Sequence, residues 1–323
     1  MENNSERRSL NAEALNPQEY EALHSSAGWL EREDVGRLWI RGEDRRSYLH
    51  NLLTNDIEGL SAGSVRYAAL LTPQGRMITD MHVFERGDAL LMTVPRAITT
   101  SIRDRLEQFV FSEDVQVEDV TDATVHIGIY GPTADDVRNA LPAETTLVVT
   151  SSDEFGLPGW EVVVDREQKP GLMEALARAG ALPVSMEVVE VCRVEAGVPR
   201  FLVDMTEETI PLEAGIEDRA ISLTKGCYPG QEIIIRVLHR GGGRVARRLV
   251  RIGLAAGSRV PVRGALLHAQ ARLIGTVTSA VDSPAFGRPV ALGYVHRDFA
   301  EPGTTIEVVY DDGTRVAGEV LAR

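Results

Sequence analysis

Apolar and polar positions recur along the chain with a period that changes from segment to segment, and those changes predict its elements. Residues 17–31 carry a helical pattern after Pro17, and VGRLWIR (35–41) alternates as a strand. In GEDRRSYLHNLLTNDI, Tyr48, Leu49, Leu52 and Leu53 fall at helical spacing, with Asp44 placed as a cap and Thr54-Asn55-Asp56 as the stop. The runs at 65–71 and 77–84, joined by Pro73-Gln74-Gly75, predict a hairpin. A strand over 90–95 and an amphipathic helix over 95–110 (Ile98, Ile102, Leu106, Phe109) complete a first unit. A second begins with TVHIGIY (124–130) and continues with a helix at 133–141, strands at 145–150 and 160–165, and a helix at 170–179. Residues 186–195 predict a helix with Cys192 on its apolar face, closed by Gly197 and Pro199. After Arg247 only short β-rich runs between Gly and Pro turns remain, which predicts a small Greek-key barrel or jelly roll. The fold class is therefore α+β with a C-terminal all-β barrel. Residues 1–245 form an α+β region with an approximate split near 120, and 246–323 form the barrel.

Composition narrows the function classes. At 323 residues the chain has room for two or three domains. Its 43% hydrophobic and 25% charged residues are those of a soluble globular protein. A formal net charge of −14 argues against general adhesion to nucleic acid or anionic membrane, so a polyanion would need a local basic patch. The first twenty residues contain no apolar signal core, and no apolar run approaches the roughly 20 residues of a membrane span. The expected location is cytoplasmic. Two cysteines, Cys192 and Cys227, exclude a disulfide framework and a four-thiolate cluster held by one chain. The seven histidines, at 24, 50, 82, 126, 239, 268 and 296, show no ligand spacing, so no metal site is expected.

Candidate chemistry concentrates in LTKGCYPGQEIIIRVLHRGGGR (223–244). Positive charge from Lys225 and Arg236 would favour the Cys227 thiolate. The plainer alternative is a strand-turn-strand with a buried, inert cysteine. Arg236, Arg240, Arg244, Arg247, Arg248 and Arg251 form a basic run suited to carboxylates or to RNA phosphates. Asp80 lies among apolar neighbours in a predicted strand, where an inward-facing acid is costly without a partner.

Five strings, LLTNDI (52–57), YAALLTPQGRMITD (67–80), CRVEAGVPRFLVDM (192–205), IPLEAGI (210–216) and KGCYPGQEIIIR (225–236), together resemble the folate-binding YgfZ family of the aminomethyltransferase (glycine-cleavage T-protein) superfamily. The resemblance implies a three-domain cloverleaf around a channel for tetrahydrofolate, with the first two domains, mixed antiparallel sheets with helices, discontinuous in sequence. It implies that Glu195 is the pterin-binding acid, its carboxylate accepting two adjacent N–H groups in a fork. Asn55, Asp56 and Tyr67 are implied to line the channel, and Arg236 to meet the folate tail. Asp80 matches the region of the T-protein's catalytic acid, although Thr79 stands where that branch carries a second acid. Lys225, Gly226, Gly230 and Gln231 complete the string around Cys227. The activity so implied is tetrahydrofolate binding in support of iron–sulfur cluster assembly or repair, including that of tRNA-modifying enzymes. Reduced folate and iron–sulfur client proteins are the implied partners. Cys227 is then a functional thiol, whether as nucleophile, redox group or transient iron ligand. One alternative is a folate-dependent aminomethyltransferase or demethylase using Asp80. A second is an RNA- or protein-binding adaptor acting through the arginines of 236–251.

Overall fold

The computed structural model describes residues 15–142, 146–240 and 244–322. The glycine-rich turn at 241–243 and the first fourteen residues lie outside the described residues. Helix α1 (Pro17–Ser25) is capped by Asn16, whose side chain accepts the Gln18 N–H. The helical pattern predicted over 17–31 is half strand: β1 (Gly28–Glu31) pairs antiparallel with β7 (Thr124–Tyr130) and parallel with β10 (Leu182–Pro183). Pairing with strands a hundred residues away decides its conformation, which a local pattern cannot register.

The first sheet has the order β3-β4-β5-β2-β6, from β2 (Val35–Arg41), β3 (Val65–Leu71), β4 (Met77–Glu85), β5 (Leu90–Pro95) and β6 (Gln116–Asp119). Helices α2 (Arg45–Leu52) and α3 (Thr99–Glu107) cover one face, packing Leu49, Ile102 and Leu106 against Leu38, Met81, Val83 and Met92. Asp44 occupies the α2 cap position without capping it; its carboxylate accepts the Asp114 N–H instead. The second sheet, β10-β1-β7-β9-β8, is built from β7, β8 (Thr146–Ser152), β9 (Gly159–Asp165), β1 and β10. Helices α4 (Ala134–Asn139) and α5 (Lys169–Arg178) cover its outer face over Val125, Ile127, Ile129, Val162 and Val164. Strand alternation sends the residues between these to the opposite faces. Phe84 of the first sheet meets Val163 of the second in one apolar cluster.

Helix α6 (Met186–Ala196) buries Val188, Val189, Val191, Cys192 and Val194 and ends at Gly197 in the left-handed region, φ 76°. The short helices α7 (Pro211–Ala214), α8 (Glu217–Ala220) and α9 (Gln231–Ile235) lead to the barrel. Its strands are β11 (Arg247–Leu254), β12 (Leu266–Ala269), β13 (Arg272–Ser283), β14 (Arg288–His296), β15 (Thr305–Val309) and β16 (Arg315–Val320). They close in the order β11-β14-β13-β12-β15-β16 around Ile252, Leu267, Val277, Val295 and Val308.

The segment 223–244 departs from the strand-turn-strand alternative. Residues 231–235 form α9, and Arg236–Arg240 continue as a single wider π turn. Ile234 is fully buried in a cluster with Leu71, Met77, Phe201 and Met205, and this packing overrides the strand preference of three consecutive isoleucines. Cys227 is exposed in the loop before α9, so the alternative of a buried thiol does not describe it.

Candidate active site

Between the inner faces of the two sheets lies a cavity of about 540 Å³, within the range of small-molecule sites. Alternation along β4 places Asp80 and His82 on its wall while Met81 and Val83 enter the core behind. Thr79 is buried away from it, its hydroxyl bonded to the Asp80 carbonyl, so Asp80 is the residue of the Thr79-Asp80 pair that faces the cavity. Tyr67, from the partner strand β3, donates its hydroxyl to Asp80 Oδ2 at 2.7 Å. The Tyr67 ring packs 4.9 Å from the His82 ring, and the Arg219 guanidinium lies 5.4 Å from its centre on another side.

The second sheet supplies the facing wall. Glu161 of β9 accepts from the Tyr130 hydroxyl at 2.7 Å and lies 2.7 Å from His126 Nε2. Arg32 is fully buried beside them and is held by two carboxylates. It donates to Asp34 at 3.0 and 3.1 Å and to Glu154 at 2.8 and 3.0 Å. Val94, Pro95, Phe155, Phe201 and Leu202 add apolar surface.

These contacts divide the acids by protonation behaviour. Burial alone would raise Glu154, but the charge and hydrogen bonds of Arg32 outweigh it and hold this carboxyl well below the usual range. Asp80 has no paired cation, and Arg219 lowers it only weakly. Burial pushes it up to about 6, with the Tyr67 hydrogen bond offsetting part of the rise and the negative charge of Glu154 adding to it. Its side chain lines the cavity, whose walls supply this desolvation. Burial also pushes His82 down, favouring a neutral imidazole. Asp80 is thus poised near neutral pH to accept or release a proton, beside a hydroxyl that orients it.

Of the residues singled out in sequence, Asp80 and Tyr67 meet in this cavity. Asn55 is buried beside it and donates to the carbonyls of Tyr67 and Arg219 at 2.9 and 2.8 Å, fixing the segments that carry those side chains. Asp56 faces His50 at 3.2 Å and accepts the Gly59 N–H. Glu195 is 7% exposed and lies outside the cavity lining: Oε2 accepts from the Tyr20 hydroxyl at 2.8 Å, and Oε1 from Ser283 Oγ at 2.5 Å and the Ala285 N–H at 3.1 Å. Cys227 is also outside it. Lys225 sends its ammonium to the carbonyls of His50 and Leu53, at the end of α2, and burial lowers it to about 8. Gly230 fits its backbone against Thr72 and Gly75, Gln231 opens α9, and Gly226 has open space around it. Arg236 is exposed and paired with Glu232 at 2.7 Å. Arg247 pairs with Glu213, and Arg251 bonds the Glu195 and Ala322 carbonyls, so the basic run is dispersed over separate contacts.

Sequence reasoning missed Arg32, His82, His126, Glu154, Glu161 and Arg219. A histidine within TVHIGIY and a glutamate within WEVVV were the available signals, since a polar residue on a strand's second face marks something facing it. It also missed that His24, Cys192 and Glu195 bring possible ligand atoms within 4.8 Å of one another. Both Glu195 oxygens there are already engaged, and burial pushes the Cys192 thiol up to about 12.

Comparison with known proteins agrees with this architecture. Residues 6–152 match the GCVT N-terminal domain, and residues 247–323 the glycine cleavage T-protein C-terminal barrel domain. An aminomethyltransferase of Nostoc sp. (strain PCC 7120) is 30% identical over 318 residues, covering 90% of this chain and 82% of that protein. One from Streptomyces coelicolor is 27% identical, covering 94% and 88%. The crystal structure of glycine cleavage system aminomethyltransferase T from Bartonella henselae shares the fold, with a TM-score of 0.83 at 22% identity over 94% of this chain and 88% of that one. The cavity-bearing sheets, the closed barrel and these likenesses along nearly the whole length place the chain in the aminomethyltransferase (glycine-cleavage T-protein) superfamily.

Proposed function

We propose that this protein is a tetrahydrofolate-dependent one-carbon transferase of the aminomethyltransferase type, in which Asp80 handles the proton of an amine substrate and Tyr67 positions it. The observation that carries this reading is the Asp80 carboxyl, raised to about 6 and oriented at 2.7 Å by Tyr67 on the wall of a 540 Å³ cavity. The named aminomethyltransferase relatives support it. The cavity fits a reduced folate in kind. Val94, Pro95, Phe201 and Leu202 offer apolar surface to a flat ring, and Arg200 and Arg219 are cations within reach of a carboxylated ligand. When bound, tetrahydrofolate supplies a nucleophilic nitrogen that accepts the one-carbon unit. The chain's own residues bind and orient the amine, keep water out between the sheets, and move a proton at Asp80 Oδ.

Incubation with an S-aminomethyl thiol and tetrahydrofolate should yield methylenetetrahydrofolate, with ammonia and the free thiol released and no change of oxidation state. That yield should be lost in Asp80→Asn and retained in Cys227→Ser. Product formation that survives Asp80→Asn would overturn the assignment of Asp80.

A second reading follows the YgfZ branch, in which folate binding supports cytoplasmic iron–sulfur enzymes. The exposure of Cys227 favours it, since a surface thiol is available to a client protein. It requires that Cys227→Ser, with folate binding intact, fail to restore iron–sulfur enzyme activity in cells lacking the protein. Restoration by that variant removes the thiol from the mechanism.

A further inference from the structure

A second recess of about 300 Å³ adjoins the central cavity and shares Arg32, Arg96 and His126 with it. Besides Arg32, which is paired with Asp34 and Glu154, three arginines converge there. Arg37, 3% exposed, spends its N–H groups on neutral oxygens: Thr124 Oγ1 at 2.7 Å and the carbonyls of Val35, Thr121 and Thr124 at 2.9, 2.5 and 3.3 Å. Arg166 likewise bonds the Asp122 and Thr124 carbonyls. Neither makes an ion pair with any described carboxylate. Arg96, at the mouth, pairs among the described carboxylates with the exposed Asp122 at 2.9 Å. The recess's own acids offset these charges only in part, because Glu31 is shared with Lys169 at 2.6 Å and Glu33 is exposed to water. His126 is 2% exposed and pairs through Nε2 with Glu161, while its buried Nδ1 has no partner.

A buried guanidinium without a counter-charge is costly, and two more cations beside it add to the cost. Burial first, then Arg96 and Arg166, lower Arg37 to about 10. In a chain of net charge −14, such a recess with more cations than acids facing it is the arrangement that an anion would complete. We propose that it is a subsite for a carboxylate group, closed inside by Arg37 and His126 and open to solvent at Arg96 and Arg166. Guanidinium N–H groups recognise carboxylates in a planar fork, and Arg96 and Arg166 are exposed, with Arg166 reaching the buried Thr124 carbonyl only at 3.4 Å. The carboxylate has two possible sources. It belongs either to a ligand whose body lies in the central cavity, which rests on the folate reading above, or to a free small acid.

The test is calorimetry and thermal melting of the full chain with succinate, against sodium chloride at equal ionic strength, in wild type and in the doubly substituted Arg96→Gln, Arg166→Gln protein. Both side chains are exposed and outside the cores, so the variant should melt normally without ligand. Succinate should bind saturably to wild type and about tenfold or more weakly to the variant, the loss expected for charge-assisted hydrogen bonds. Parallel titrations with 5-formyltetrahydrofolate and with tetrahydropterin, which lacks the glutamate, separate the sources. A tenfold loss for the folate alone assigns the carboxylate to the ligand of the main cavity, whereas a loss for succinate alone assigns it to a free acid. Succinate binding without any reduced-folate binding would sink the folate reading and leave the subsite standing. The subsite is overturned if chloride reproduces the succinate effect, or if no carboxylate ligand binds more weakly to the variant.

Discussion

Asp80 would be an unremarked polar residue in β4 but for what surrounds it, and its behaviour tests that surrounding directly. Its folded-state pKa, about 6, lies above its ordinary value of 3.8. Between those values the native protein holds a proton that the unfolded chain releases, so stability falls as pH rises from about 4 to 6. The full shift corresponds to about 3 kcal/mol, and partial access through the cavity reduces this to about 1–2. Asp80→Asn should therefore gain roughly that much stability at pH 7 while losing turnover, as active-site strain commonly behaves. Denaturant titrations at pH 3 and 7 would check it, because the gain must vanish below the unfolded-state pKa of 3.8. Tyr67→Phe acts in the opposite direction on the same group. Removing a donor to the carboxylate raises its pKa further, so the acidic limb of the activity profile should move to higher pH. Period-two alternation made the exposure of Asp80 to one sheet face legible in sequence. Its neighbours were not legible, because Glu154 and Glu161 reach the site from strands and loops about eighty residues further on.

At the scale of elements, the string around Cys227 separates into residues that hold the fold and residues that do not. Gly230 has φ 82°, and a Cβ there would stand 2.5 Å from the Thr72 carbonyl oxygen and 3.0 Å from Gly75 Cα. Gly226 has nothing within 4 Å of that position. Gly230→Ala should cost about 1–3 kcal/mol or more through backbone strain and loss of the close approach to the β3–β4 turn. Gly226→Ala should stay within about 0.5 kcal/mol. Equal denaturation midpoints for the two variants would refute the distinction. Lys225 belongs with Gly230: it ties the loop to the end of α2, so its charge serves carbonyl oxygens before any thiolate. The sequence pattern located this segment as unusual, and its strand-turn-strand alternative does not describe the shape it takes. Three isoleucines look like a strand until the partner of Ile234, a cluster assembled from several segments between Ala69 and Val245, is known. Helix α6, whose apolar stripe and glycine stop are local signals, was read within one residue of its end.

Across the whole molecule the barrel is joined to the rest through buried charge and hydrogen bonds, and Glu195 is central to that junction. Arg193 reaches Asp204 at 2.7 Å and Ser279 Oγ at 3.0 Å, while Asp204 accepts from Thr278 and Ser279 of β13. Two residues further along α6, Glu195 links α1 through Tyr20 to the barrel through Ser283 and Ala285. Sequence resemblance makes Glu195 a pterin-holding acid, a role in which its carboxylate must leave three protein donors. The two roles give different results for Glu195→Gln, which keeps the shape but exchanges one acceptor for a donor facing Ser283 or Tyr20. In the docking role, stability falls by about 1–3 kcal/mol for the lost charge-assisted bonds, and proteolysis near the barrel junction at 284–287 accelerates. Reduced-folate affinity of the folded fraction then changes little. In the pterin role, affinity falls at least tenfold with stability nearly unchanged. The geometry favours the first, because Ser283 and Ala285 sit on the barrel and no other described carboxylate engages them. Loss of folate binding at unchanged stability would show instead that Tyr20 and the barrel loop hold Glu195 only until the ligand arrives.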